Sequence, residues 1–273
     1  MPFADLNLAR RLEAAHARGR AECAQAQAGL HSQAGVAVER VAGGYAIYNP
    51  LGSPATQAHA FGLGLEGPVG DADLERMEAF YRTRGVSAHV ELCPLADSSL
   101  PQLLAHRGYR LEGWTNVLVR ALPGDPLATP LPCGVKVRQV GLPEAGLWAQ
   151  VIAQGFCERE AVTPAEVGIS MPLFYTPRTT CFLGLVDEQP AGGGAVVLYQ
   201  GVATLFGAST LVAFRRRGVQ ATLLQARLAF VAANGCDLAT TNTEPGSKSQ
   251  RNAERQGFRV AYTRALMTAR GSK

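Results

Sequence analysis

The chain has 273 residues with 47% apolar and 18% charged side chains and a formal net charge of +4 at pH 7. At roughly 100–200 residues per domain this length predicts two domains with sizeable cores, and the balanced composition excludes a disordered or fibrous chain. No apolar run approaches the roughly 20 residues that span a bilayer, and segment 4–22 lacks the apolar block of a secretory signal, so the sequence reads as a soluble, cytoplasmic protein without a membrane partner.

The opening segment 4–28 is free of proline, and Leu8, Leu12, Ala15, Cys23 and Ala26 recur at three-to-four spacing, which predicts a long helix weakened at Gly19. Alternating stretches at 36–41 and 45–49, separated by Gly43 and Gly44, predict a hairpin, with a third strand near 57–65. An amphipathic helix follows from Asp73 to Thr83, then a strand at 87–92 and a helix at 100–107 closed by Gly108.

Segment 121–134 holds four prolines and two glycines and reads as a linker between a domain at 1–125 and one at 135–273. Beyond it the pattern predicts a strand at 135–140, a helix from Glu144 to Phe156 and a second from Pro164 to Phe174. Three consecutive strands (179–186, 193–200, 202–210) then form a meander. A helix from Val219 to Ala233, a strand at 237–242, a helix from Ser247 to Gln256 and a strand at 258–267 complete the chain.

The halves repeat at an offset of 149, from Ala105 to Glu254: Ala105-x-x-Gly108-Tyr109-Arg110 falls on Glu254-x-x-Gly257-Phe258-Arg259, and strand 87–93 falls on 236–242. Two copies of one mixed α/β fold, each a twisted, mostly antiparallel sheet flanked by helices, are the expectation.

The six cysteines (Cys23, Cys93, Cys133, Cys157, Cys181, Cys236) contain no Cys-x-x-Cys pair and read as free thiols, with no metal site. The mild basicity comes mostly from arginine and suits a small anionic ligand; interleaved aromatics and an extended basic stripe are missing, which argues against a nucleic-acid partner.

Chemistry concentrates in 211–235, where a strand meets Arg215, Arg216, Arg217 and Gly218 and opens directly into a helix. A helix N-terminus presents free N–H groups and the positive end of the macrodipole to phosphate oxygens. Glycine permits close backbone approach and arginine adds charge. A diphosphate cradle on the N–H groups of Arg217, Gly218, Val219, Gln220, Ala221 and Thr222 is the expectation.

These residues resemble the GNAT superfamily of N-acetyltransferases, whose pyrophosphate loop reads Arg/Gln-x-x-Gly-x-Gly/Ala. Arg215-x-x-Gly218-x-Gln220 matches two fixed positions and departs at the third, with Ala221 alongside. Arg251-Asn252-Ala253-Glu254-Arg255-Gln256-Gly257-Phe258 is similar to the family's closing helix and Gly-Phe turn, and puts Asn252 among the donor contacts.

The resemblance implies acetyl-CoA as co-substrate and direct attack on its thioester by a primary amine of a small molecule or peptide. Backbone near Thr210, Leu211 and Val212 would polarise the carbonyl. The family's thiolate-protonating tyrosine is Ala253 here, so Ser249 or Tyr262 would substitute, and Glu166, among Glu158, Glu160 and Glu244, would act as base through water. A catalytically silent acyl-CoA sensor is the alternative, and a homodimer is left open. In the first half Asp71, Asp73 and Glu75 stand where arginines would be needed, so that half reads as a degenerate copy.

Overall fold

The computed structural model describes residues 3–52, 57–122 and 134–269, so most of the expected linker, with Cys133, lies outside the described residues. The described residues divide into two compact units, unit 1 being those within 3–118, 242–250 and 260–269, and unit 2 those within 119–241 and 251–259.

Unit 1 opens on α1 (Leu6–Leu30), started by Asp5, whose Oδ1 accepts the Leu8 N–H at 2.8 Å. The helix runs through Gly19 without a break. Burial of Leu8, Ala9, Leu12, Ala15, Ala17, Ala21 and Ala24 outweighs the roughly 1 kcal/mol that an interior glycine costs.

Strands β1 (Ala37–Val41) and β2 (Gly44–Tyr48) form the expected hairpin, but its turn is Ala42-Gly43, both at positive φ. Gly44 is instead the first strand residue: a Cβ there would lie 2.1 Å from the Phe61 carbonyl oxygen. β3 (Ala58–Phe61) pairs antiparallel with β2, and β4 (His89–Leu92) pairs parallel with β3 after the crossover helix α2 (Asp71–Arg82).

After α3 (Ser99–His106) comes β5 (Arg110–Ala121). The last strand of the chain, β11 (Arg259–Thr268), pairs antiparallel with β4 and lies between β4 and β5. Alternation sorts the core: Ile47 and Phe61 pack with Ala17, Ala21 and Ala24 of α1, while Ala46, Ala60 and Val90 pack with Met77, Phe80, Leu100 and Leu104 from α2 and α3.

Unit 2 contains β6 (Val135–Val140), α4 (Ala145–Cys157) and α5 (Pro164–Gly168), the last much shorter than its expected span. Gly168 ends it, and Met171–Tyr175 forms a separate 3-10 turn around Pro172. The meander is present as β7 (Thr179–Val186), β8 (Gln189–Tyr199) and β9 (Val202–Thr210), all antiparallel neighbours. α6 (Val219–Ala233) leads to β10 (Leu238–Thr243), which runs parallel to β9, and α7 (Lys248–Arg255) follows.

Three consecutive glycines in β8 let both faces pack closely. A Cβ on Gly193 would stand 2.9 Å from Trp148 Nε1 of α4, and one on Gly194 2.9 Å from Arg227 Cζ of α6. Trp148 donates to the Phe182 carbonyl at 2.9 Å, and buried Arg227 to those of Leu223 and Ala195.

The repeat is carried by structure as well as by letters. An offset of 149 takes the start of β4 at His89 to Leu238 of β10, α3 onto α7, and Arg110 of β5 to Arg259 of β11.

Candidate functional site

In unit 2 the ladder between β9 and β10 covers Val202 to Thr204 opposite Leu238 to Thr240 and then stops, while β9 continues from Leu205 to Thr210. The Thr241 hydroxyl donates to the Leu205 carbonyl at 3.1 Å just beyond the last pair. A bulge helps turn β9 away: Gly193 faces Ser209 and Ala195 faces Phe206, so Gly194 stands opposite both Gly207, at φ +58°, and Ala208. Two parallel strands therefore part at their carboxyl ends, the usual place for a ligand crevice in such sheets.

The basic loop follows directly. Leu211 continues the pairing by donating its N–H to Ala191 at 2.9 Å, so that amide is already committed, and Val212 begins a 3-10 turn. Arg215 is extended, Arg216 sits at φ +64°, and Gly218 caps α6 in the left-handed region at φ +79°. With no capping side chain and no acid in its first turn, α6 leaves the N–H groups of Val219, Gln220 and Ala221 without partners four residues back. Thr222 differs: its N–H donates to the Gly218 carbonyl at 3.0 Å. The Gln220 side chain points to Thr210, with its Oε1 3.5 Å from the hydroxyl.

The loop arginines are exposed, and two have partners. Arg215 Nη2 lies 2.9 Å from Glu158 Oε1, and Arg217 Nη2 lies 3.0 Å from Asp187 Oδ2. Neither acid was singled out as a loop partner in the sequence, because α4 and the β7–β8 turn reach the loop only through folding.

The equivalent helix entrance in unit 1 is closed to anions. Asp73 accepts the Gly70 N–H at 3.0 Å and so caps α2 from inside, with Asp71 beside it. Pairing of β3 with β4 continues to Phe61, the end of β3, so these strands do not part as β9 and β10 do.

The acid–base candidates occupy dissimilar places. Glu166 caps α5 with Thr163, accepting its N–H at 2.7 Å, and also binds Arg159 and the Cys157 thiol. The Thr163 N–H, then its hydroxyl, the thiol and Arg159, hold the carboxyl down at about 2. Ser249 is exposed on α7 in unit 1, and Asn252 is exposed further along that helix in the part assigned to unit 2. Ala253 is buried, its carbonyl accepting from Gln256 and Phe258 at the helix end.

Tyr262 is buried in unit 1, where its hydroxyl donates to Glu13 Oε1 at 2.8 Å; burial, then the Glu13 charge, raises its pKa well above the ordinary value. Around it lies a polar interior that the sequence reading missed, with Glu13, Glu91 and Arg264 ion-paired and His16 bonded through Nδ1 to the Asn242 side chain at 3.0 Å.

No protein-family model and no curated protein matches the chain. Solved structures do. A GCN5-related N-acetyltransferase from Kribbella flavida is 21% identical, with TM-score 0.63 over 93% of this chain and 96% of that one. A tandem GNAT protein from the clavulanic acid biosynthesis pathway, solved without acetyl-CoA, is 14% identical with TM-score 0.64, covering 100% of this chain and 98% of its own. A GCN5-related N-acetyltransferase from Sphaerobacter thermophilus gives 17% identity and TM-score 0.57 over 93% and 91%. The chain has the tandem GNAT fold, two mixed α/β acyl-CoA N-acyltransferase-like copies.

Proposed function

We propose that the protein transfers an acetyl group from acetyl-CoA to a primary amine of a small molecule or peptide, and that unit 2 binds the donor. The observation that carries this reading is the uncapped N-terminus of α6, entered through Arg215–Gly218 beside the parting ends of β9 and β10. Val219, Gln220 and Ala221 offer N–H groups to a diphosphate, Arg216 adds an exposed charge, and the crevice beyond Thr204 suits an extended pantetheine arm. Thr210 and Val212 flank the acyl end, with Val212 supplying the amide that Leu211 has spent on Ala191. Thr222 supports the cradle by fixing Gly218, and Asn252 lines the donor from α7.

The amine nitrogen forms the new C–N bond as the C–S bond breaks and the thiolate leaves with the electron pair. No metal enters this chemistry. A thiol of pKa about 8.5 leaves readily near neutrality, so an acid at the Ala253 position is dispensable. Water carries the protons in this reading: the Tyr262 hydroxyl is already committed to Glu13 and the Glu166 carboxyl is held too acidic to be the principal base.

Calorimetry with CoA, followed by thiol release from acetyl-CoA against a panel of amines, tests the reading. Binding with turnover supports it; no binding overturns it. Buried Ala253 in place of a hydroxyl favours a second reading, a silent acyl-CoA sensor. Binding without turnover on any amine would select that one.

A further inference from the structure

Glu158 and Asp187 approach the basic loop from two different segments. Glu158 closes α4 in the left-handed region at φ +54°, where glycine or asparagine would be the unstrained choice, and its carboxylate reaches Arg215 at 2.9 Å. Asp187, at φ +50° in the turn between β7 and β8, holds Arg217 at 3.0 Å. Arg216 stands between the two pairs and makes no ion pair among the described residues. Acids so placed oppose the charge that an anion-binding loop would use.

Both pairs are exposed: the side chains are 39% and 64% accessible for Arg215 and Glu158, and 49% and 75% for Arg217 and Asp187. Pairs this wet are weak and exchange partners easily. A diphosphate on the first turn of α6 carries more charge than one carboxylate and accepts bidentate arginine bonds. It would win the arginines from the two carboxylates, at the cost of breaking each pair.

We infer that Glu158 and Asp187 are displaceable counter-ions that hold Arg215 and Arg217 and yield them to the donor diphosphate, so that each acid lowers donor affinity and reclaims its arginine on release. This rests on the proposed function, since it takes the loop as the diphosphate site. The acids are thus affinity-setting residues outside the reacting centre.

The test is calorimetry on the full chain with CoA and with inorganic pyrophosphate, comparing the parent, Glu158→Gln, Asp187→Asn, Arg215→Ala and the double variant Arg215→Ala/Glu158→Gln. Each neutralised acid should tighten CoA binding by roughly two- to fivefold, with the gain shrinking as salt rises. In the Arg215→Ala background the Glu158→Gln gain should vanish. Unchanged or weaker binding by Glu158→Gln, or the same gain in both backgrounds, overturns the exchange while leaving the donor site standing. A parent that binds neither probe overturns the functional reading itself, and the exchange with it.

Discussion

Glu13 and Arg264, 251 positions apart, meet as an ion pair at 2.7 Å with each side chain 1% exposed. Arg264 also donates to Glu91 Oε2 at 3.2 Å, and Tyr262 donates to the same Glu13 oxygen, so the opening helix is tied to the closing strand within unit 1. Removing one member of such a pair strands a buried charge. Arg264→Met should therefore destabilise the protein by about 3–5 kcal/mol, with Glu13→Gln/Arg264→Met recovering part of the loss. Denaturant unfolding followed through unit 1 measures both, and a single-variant loss under about 1 kcal/mol would contradict the finding.

The same interior makes stability depend on acid. Burial, then the Arg264 charge, depresses the His16 pKa well below 6.5, so the folded protein favours neutral imidazole and this contribution fades as pH falls below 6.5. Burial alone would raise Glu91, but His59 and Arg264 outweigh it and draw the carboxyl down to about 2, so its contribution is complete above its ordinary 4.5 and is lost between there and about 2. Melting temperature should fall in two stages on acidification. His16→Gln should flatten the upper stage only; a profile identical to the parent's would rule out His16 as its source.

Much of this fold was legible because it is periodic or punctuated. Gly108 and Gly257 end α3 and α7 at positions 149 apart, and the boundaries of α6 agree with its apolar pattern from Val219 to Ala233. The loop could be read for a different reason: arginines followed by glycine at a helix start are a local signal. Glu13, His16, Glu91 and Arg264 gave none, since each is an ordinary polar residue until α1 and β11 bring them together. The same holds for Glu158 and Asp187. Charges in sequence look solvated, and only tertiary contact shows which are shared.

Gly194 illustrates a local signal that needs its context. A Cβ there would press on the Arg227 guanidinium at 2.9 Å, and that side chain is buried enough to lower its pKa to about 10. Gly194→Ala should cost about 1–3 kcal/mol by overpacking. Gly194→Ala/Arg227→Met should be less than additive, because a flexible apolar chain yields space. Strictly additive losses in thermal unfolding would show that Arg227 is not what the new methyl meets.

Glu166 supplies a test of the proton path. With its carboxyl held at about 2 by Thr163, Cys157 and Arg159, it is a poor base, and water must carry most of the proton transfer. Glu166→Gln should lower kcat by less than tenfold and leave the alkaline rise of kcat/KM, set by the amine's own ionisation, where it was. A loss of a hundredfold or more, with a changed pH profile, would restore Glu166 as the principal base.

Gly218 bears most directly on the donor site, and its φ of +79° means that two effects must be separated. Valine adds a Cβ where the backbone must meet phosphate and also strains the left-handed conformation by roughly 1–2 kcal/mol. Asparagine adds a Cβ but tolerates that conformation. If close approach of the diphosphate is what matters, both Gly218→Val and Gly218→Asn should lose CoA affinity by far more than Arg215→Ala, which removes one exposed contact worth about 1–2 kcal/mol, roughly five- to thirty-fold. Thermal unfolding should meanwhile show Gly218→Asn near the parent and Gly218→Val below it. Calorimetry in which Gly218→Asn binds CoA like the parent while Gly218→Val fails would assign the glycine to loop conformation alone, and the diphosphate would have to rest elsewhere than on the N-terminus of α6.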